Sequence, residues 1–258
     1  DHRKTEQLID TLDKVEQNRK ECYIREFSIE HFHDSKVFET LIPKICKIFR
    51  EENEELTGFE NEEILAEYQI YKTPGYVYMK GNVQIYSAGK QAADISAFPE
   101  GIAVAVWSEE DTPDICPDQT IDKVFTIENL TSFYRFKQEH SLVIYLGGYH
   151  DRSRRNLLMQ IYQKLPDAQY YHFGDLDAGG FYILEHLKRK TRIPFQMFQM
   201  DIETLKKYED YAKPLTENDK KRLMQLEKME LPDEERKLIT YMLQKGIKLE
   251  QECISESQ

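Results

Sequence analysis

Cysteine, tryptophan and long apolar runs are all scarce in this 258-residue chain, and each scarcity removes a class of protein. The four cysteines, Cys22, Cys46, Cys116 and Cys253, stand far apart. No two have the spacing of a zinc knuckle or a redox motif, and reduced thiols in a cytoplasm are the simplest reading. No apolar stretch approaches the roughly 20 residues that span a bilayer, and no charged-then-apolar leader opens the sequence. A soluble, cytoplasmic protein with no membrane partner is expected. Internal repeats and low-complexity tracts are missing too, which excludes a repeat architecture.

Positive charge is short as well: 35 Lys and Arg face 47 Asp and Glu, for a net charge of −12. Taken whole, that balance argues against a nucleic-acid partner, because phosphate binding needs local positive charge. The distribution along the chain removes the objection. Residues 1–120 hold 13 Lys and Arg against 25 Asp and Glu, whereas residues 121–258 hold 22 against 22. The acid excess belongs entirely to the first half.

What is present is a hydrophobic content of 40% and an aromatic content of 12%, enough for one large core or two modest ones. Residues 1–34 read as a polar N-terminal helix with weak apolar spacing (Leu8, Leu12, Val15) and a linker, as if cut from something longer. Residues 35–120 read as a small α+β module. Within it, Val37, Leu41, Ile45 and Ile48 recur at helical steps despite Pro43, and a second helix is expected over Glu62–Tyr68. Tyr76–Met79 and Val83–Tyr86 flank Gly81-Asn82 and predict a hairpin, with a further strand over Ile102–Trp107. The acidic, proline-containing stretch Ser108–Thr120 is expected to be a linker or surface loop.

From residue 121 the pattern changes. Apolar runs at Val124–Ile127, Leu142–Leu146, Tyr170–Phe173 and Phe195–Met200 alternate with helical stretches near Leu130–Lys137, Arg154–Lys164 and Phe181–Lys190. Short buried strands alternating with helices predict an α/β fold, a parallel sheet flanked by helices. Helices over Glu217–Met229, Asp233–Lys245 and Leu249–Cys253 complete a domain of residues 121–258.

In an open parallel sheet, ligands sit beyond the carboxyl ends of the strands. The first run ends in Glu128-Asn129, the second in Gly147-Gly148, and the third in Gly174-Asp175-Leu176-Asp177-Ala178-Gly179-Gly180. Asp175 and Asp177 flank one residue, so both carboxylates can face the same space, where they repel unless a hard cation sits between them. Alternatively Asp175 caps the helix that begins near Ala178. Glu128, at the equivalent point of the first strand, favours the cation: Glu128, Asp175 and Asp177 are the expected ligands of Mg²⁺ or Mn²⁺. Glu250 and Glu252 in the terminal L-E-Q-E could bring a carboxylate to a second ion, or be a solvated helix end. Two ions about 4 Å apart would suit in-line displacement at a phosphodiester.

The motifs T-I-E-N, L-G-G-Y and G-D-L-D-A-G-G resemble the Toprim domain of topoisomerases, primases and overcoming-lysogenization-defect nucleases. With F-Y-I-L, L-T-E-N-D and L-E-Q-E, and with R-E-F-S-I and D-S-K upstream, the chain resembles the JetD nuclease subunits of Wadjet anti-plasmid systems. The resemblance implies a Toprim, Rossmann-like fold over residues 121 to about 254. It also implies Glu128, Asp175 and Asp177 as metal-binding catalytic acids, and metal-dependent cleavage of double-stranded plasmid DNA beside a condensin-like (SMC-type) motor. A homodimer is expected, since cutting both strands needs two sites. The alternatives are a topoisomerase VI-like tyrosine transesterase, although no motif singles out one of the 16 tyrosines, and a non-catalytic Toprim scaffold that grips DNA.

Arg152, Arg154 and Arg155 open a helix, where the dipole disfavours cations; their company is either DNA phosphate or nearby acids such as Asp151. Gly147 and Gly148 allow close approach of DNA, or simply make a turn. Lys188-Arg189-Lys190 stands at a helix C-terminus, where cations are favoured anyway. His31 and His33 have no evident third ligand, and His150 and His172 read as hydrogen-bonding residues more readily than proton shuttles.

Overall fold

The computed structural model describes residues 2–53, 56, 59–72, 76–105, 113–147, 150 and 152–254. The chain divides at Tyr76 and Val77 into two units, with short returns to the first around Ala105 and Arg154.

The first unit holds α1 (His2–Gln17), β1 (Cys22–Tyr23), α2 (Ile24–Phe32), α3 (Val37–Glu52), α4 (Asn61–Glu67) and β2 (Ile70–Tyr71), with β1 and β2 parallel. Its core gathers Phe27, Phe38, Ile45, Phe49, Ile64, Leu65 and Ile70. Each such side chain contributes about 1.5–3 kcal/mol on burial. The buried stripe of α3 is Phe38, Ile45, Cys46 and Phe49, rotated from the one expected around Val37 and Leu41. That face holds the helix together although Pro43 removes one ladder donor. The unforeseen α2 starts where Glu26 turns back to accept the Tyr23 N–H at 2.8 Å.

The second unit begins with β3 (Tyr76–Lys80), β4 (Val83–Ser87), β5 (Lys90–Asp94), β6 (Ile102–Ala105) and β7 (Asp114–Pro117). It continues through β8 (Lys123–Ile127), α5 (Leu130–Arg135), β9 (Ser141–Tyr145), α6 (Arg152–Lys164), β10 (Gln169–Phe173), α7 (Ala178–Thr191) and β11 (Gln196–Met197). Last come α8 (Ile202–Lys207), β12 (Lys213–Pro214), α9 (Glu217–Leu226), α10 (Asp233–Lys245) and β13 (Ile247–Lys248). The central sheet has the order β11-β10-β8-β9-β3-β6. Four neighbouring strands are parallel, and β3 lies antiparallel to β9. A mostly parallel sheet flanked by helices is the α/β class expected, and it agrees with a Toprim-like arrangement.

The expected hairpin does not form. β3 joins the large sheet, whereas β4 pairs with β5 and β7 in a separate antiparallel sheet. Gly81 lies at φ +139, and a Cβ there would stand 2.5 Å from the Ser141 carbonyl oxygen. It serves a close pass of the backbone beside β9 rather than a two-residue turn. The stretch 35–120 is thereby shared between the units, α3, α4 and β2 in the first and nearly all of β3 to β7 in the second. Within the expected linker, Asp114–Pro117 is a strand, pinned where Lys164 Nζ reaches Asp114 and donates to the Ile115 carbonyl at 2.7 Å; residues 108–112 lie outside the described ones.

Lys80 is buried and donates from Nζ to the carbonyls of Phe133 and Phe136 at 2.5 and 2.6 Å, capping the end of α5. α9 opens with a reciprocal cap between Thr216 and Asp219, and Asp219 also meets Lys248 at 2.9 Å. Leu223, Leu226, Leu238, Ile239 and Met242 of α9 and α10 join Phe173, Leu176 and Phe181 in one core. The helix expected over Leu249–Cys253 is only a single 3₁₀ turn, Gln251–Cys253, because Leu249 is drawn into a bridge with Leu176. Among the described residues, no helix is long and apolar enough to cross a membrane.

Candidate functional site

The parallel register sets Ile127 beside Phe173 on one side and Tyr145 on the other, so the residues that follow all three strands emerge at one edge. Glu128 and Gly174 are therefore neighbours: the Glu128 N–H donates to the Phe173 carbonyl at 3.1 Å, and the Asp175 N–H points at Glu128 Oε2 at 3.4 Å. Any side chain at position 174 would collide, since its Cβ would stand 2.5 Å from Glu128 Oε2 and 2.8 Å from His172 Nε2.

Asp177, not Asp175, caps α7, its Oδ1 accepting the Gly180 N–H at 2.9 Å. Gly180 is equally constrained, because a Cβ there would lie 2.2 Å from the Asp175 carbonyl oxygen. Asp175 thus stays out of the helix and turns to the C-terminal segment. Leu176 and Leu249 exchange backbone hydrogen bonds of 2.9 and 3.1 Å, and the Gln251 N–H donates to Asp175 Oδ1 at 2.6 Å. The L-E-Q-E motif is therefore docked on the D-x-D loop. Burial, followed by the charges of Asp177, Glu252 and Glu250, pushes the Asp175 carboxyl up to about 6, against the opposing pull of the Gln251 N–H.

Gln251 is a site residue that the sequence pattern does not single out. Its side chain is fully buried, with Oε1 accepting the Asn129 N–H at 2.8 Å and Nε2 donating to the Phe173 carbonyl at 3.0 Å. The only hint is its place between two acids in L-E-Q-E. Beside it, Glu252 accepts from Asn129 Nδ2 at 2.6 Å, and Glu250 pairs with Lys213 at 2.5 Å. Among the described residues, no three His, Cys, Asp or Glu side chains close around one point as a ready-made metal cage. The site is instead an open acidic edge.

His172 lies beneath that edge with no exposure to solvent. Its Nδ1 is 3.0 Å from Thr126 Oγ1, while its Nε2 has no hydrogen-bond partner and stands 4.0 Å from Glu128 Oε2. Burial, with a smaller push from Lys188, holds its pKa down to about 3, which favours the neutral ring near pH 7.

The other expected residues are placed less centrally. Arg155 is buried, close enough to His186 to help depress that imidazole, rather than displayed on the surface. Arg154 belongs to the first unit, where its guanidinium donates to the Tyr76 carbonyl at 3.3 Å. Gly147 takes φ +72 against the Tyr145 ring, the conformation of a turn. Gly148 and the side chain of Arg152 lie outside the described residues. Lys188 pairs with Glu185 and Glu235, which accounts for that cation without a ligand. A cleft of about 740 Å³ opens between Lys80, Phe98, Tyr134 and Lys137, but none of the five carboxylates lines it.

Residues 111–258 match the family described as Wadjet protein JetD, C-terminal. The chain belongs to this family. It is 29% identical over 254 residues to the Wadjet protein JetD of Bacillus cereus (strain Q1), which covers 96% of this chain and 61% of that protein. The chain thus spans about three fifths of that relative's length. The matched JetD region contains all five carboxylates of the acidic edge, together with Gln251 and His172.

Proposed function

We propose that this chain is the nuclease part of a Wadjet-type defence complex, a divalent-metal-dependent endonuclease acting on double-stranded plasmid DNA. The observation that carries the reading is that Glu128, Asp175 and Asp177 follow neighbouring parallel strands at one carboxyl edge, in a chain of the JetD family. The residues suit a cation: a buried imidazole nitrogen there lacks a hydrogen-bond partner, and residue 174 leaves open a space that a Cβ would fill. Glu128, Asp175 and Asp177 would hold Mg²⁺ or Mn²⁺, with Glu250 and Glu252 available to a second ion. When bound, such ions neutralise phosphate charge and activate water.

The chain's own contribution is orientation. The Gln251 and Gly180 N–H groups each fix one oxygen of Asp175 and Asp177. The N-terminus of α7 adds a partial positive charge that favours a phosphate. Arg152, Arg154, Gly147 and Gly148 are the proposed backbone-positioning residues for DNA. A condensin-like motor and a second copy of the chain complete the proposed assembly. Supercoiled plasmid incubated with Mg²⁺ or Mn²⁺ tests the reading. Nicked or linear product that disappears on chelation and in an Asp175→Ala/Asp177→Ala variant is expected, and cleavage that survives both would contradict it.

A further inference from the structure

The geometry points to His172 Nε2 as a nitrogen ligand that, with Glu128, holds a divalent cation at the strand end. This rests on the metal-site reading above and adds to it a donor that the acidic motifs do not contain.

Thr126 decides how the ring presents itself. Its hydroxyl has one proton, and Oγ1 lies 3.2 Å from the Tyr171 carbonyl and 3.0 Å from His172 Nδ1. A carbonyl can only accept. If Thr126 donates to Tyr171 and His172 Nδ1–H donates to Thr126, both hydrogen bonds form; the reverse tautomer makes only one of them. Nε2 is then a bare lone pair, fully buried, facing the Glu128 carboxylate across 4.0 Å. A buried acceptor without a donor is unfavourable, and a carboxylate opposite it favours a cation in the space between. Bonds of about 2.1 Å from one ion to an imidazole nitrogen and a carboxylate oxygen at right angles hold the two atoms about 3.0 Å apart, so a swing of the partly exposed Glu128 side chain closes the gap without moving either strand. The gap is open only because residue 174 is glycine. An imidazole in the set favours a first-row transition metal over Mg²⁺.

The test is electron spin-echo spectroscopy of the protein loaded with Mn²⁺, as unlabelled chain, as chain grown with ¹⁵N-histidine, and as His172→Gln. Bound Mn²⁺ showing ¹⁴N modulation that becomes ¹⁵N on labelling, and vanishes in His172→Gln while the ion stays bound, is the expected result. Bound Mn²⁺ without histidine nitrogen modulation overturns the inference and leaves the carboxylate site standing. No bound Mn²⁺ overturns both. If His172→Gln fails to fold, a labelled wild-type chain that binds Mn²⁺ without ¹⁵N modulation still overturns the inference.

Discussion

Gln251 donates its backbone N–H to Asp175 Oδ1 at 2.6 Å, while its side chain reaches Asn129, 122 positions earlier in the chain. One buried residue therefore joins the ends of β8 and β10 and the D-x-D loop. The docked C-terminal segment holds Asp175 and brings Glu250 and Glu252 to the acidic edge.

Replacing Gln251 by Ala leaves the Asn129 N–H without its side-chain partner, while the Phe173 carbonyl keeps the Glu128 N–H. One orphaned group costs about 1–3 kcal/mol, so a loss of about 1–3 kcal/mol is expected in urea denaturation. A change under about 0.5 kcal/mol would show that the segment does not hold the site.

Asp175→Asn should stabilise the metal-free protein, and only at higher pH. The carboxyl pKa is raised in the fold, from 3.8 to about 6. Its favourable contribution is therefore complete below the unfolded value and is lost as pH rises through about 6. The advantage of Asn over Asp should be absent near pH 4 and grow up to pH 7.5 in a melting series. An equal shift at every pH would contradict the burial and charge account.

Asp177 has two jobs that separate by substitution. Asp177→Asn keeps an oxygen to cap α7 and should hold stability within about 0.5 kcal/mol, whereas Asp177→Ala should lose about 1 kcal/mol. Both should lose the stabilisation that added Mn²⁺ gives the wild-type chain. Thermal melts with and without the ion distinguish capping from charge, and an unchanged ion response in Asn would remove Asp177 from the site.

Two glycines provide a matched comparison. Gly180→Ala sets a Cβ 2.2 Å from the Asp175 carbonyl oxygen and should cost about 2–3 kcal/mol by displacing backbone. Gly246→Ala meets nothing within 4 Å and suffers only from φ +69, for about 1 kcal/mol. Denaturation midpoints that rank them in the opposite order would contradict this packing.

The parallel strands are legible in the sequence because buried runs such as Val124–Ile127 and Tyr170–Phe173 alternate with helices, and α10 begins and ends at the expected residues because Asp233–Glu235 and Gly246 mark its termini. Local pattern does not show that β3 passes its expected partner to pair with β9, since a Gly-Asn pair looks alike in a hairpin and in a crossing. β7 is hidden because its four residues lie in an acidic stretch and are held by a distant lysine. In the candidate site, Glu128, Asp175 and Asp177 stand out because paired carboxylates at a strand end repel unless a cation lies between them. Gln251 and the Thr126–His172 contact carry no local signal, because their meaning lies in contacts made across the sheet.

The most direct measurement is calorimetric titration of the chain with Mn²⁺, beside an Asp175→Asn/Asp177→Asn variant whose fold is checked by circular dichroism. Every proposed ligand lies within this chain, so the titration reads the site itself. Saturable binding to the wild-type chain, lost in a folded variant, is the predicted result; binding of equal strength by both, or by neither, would contradict a metal site at this acidic edge.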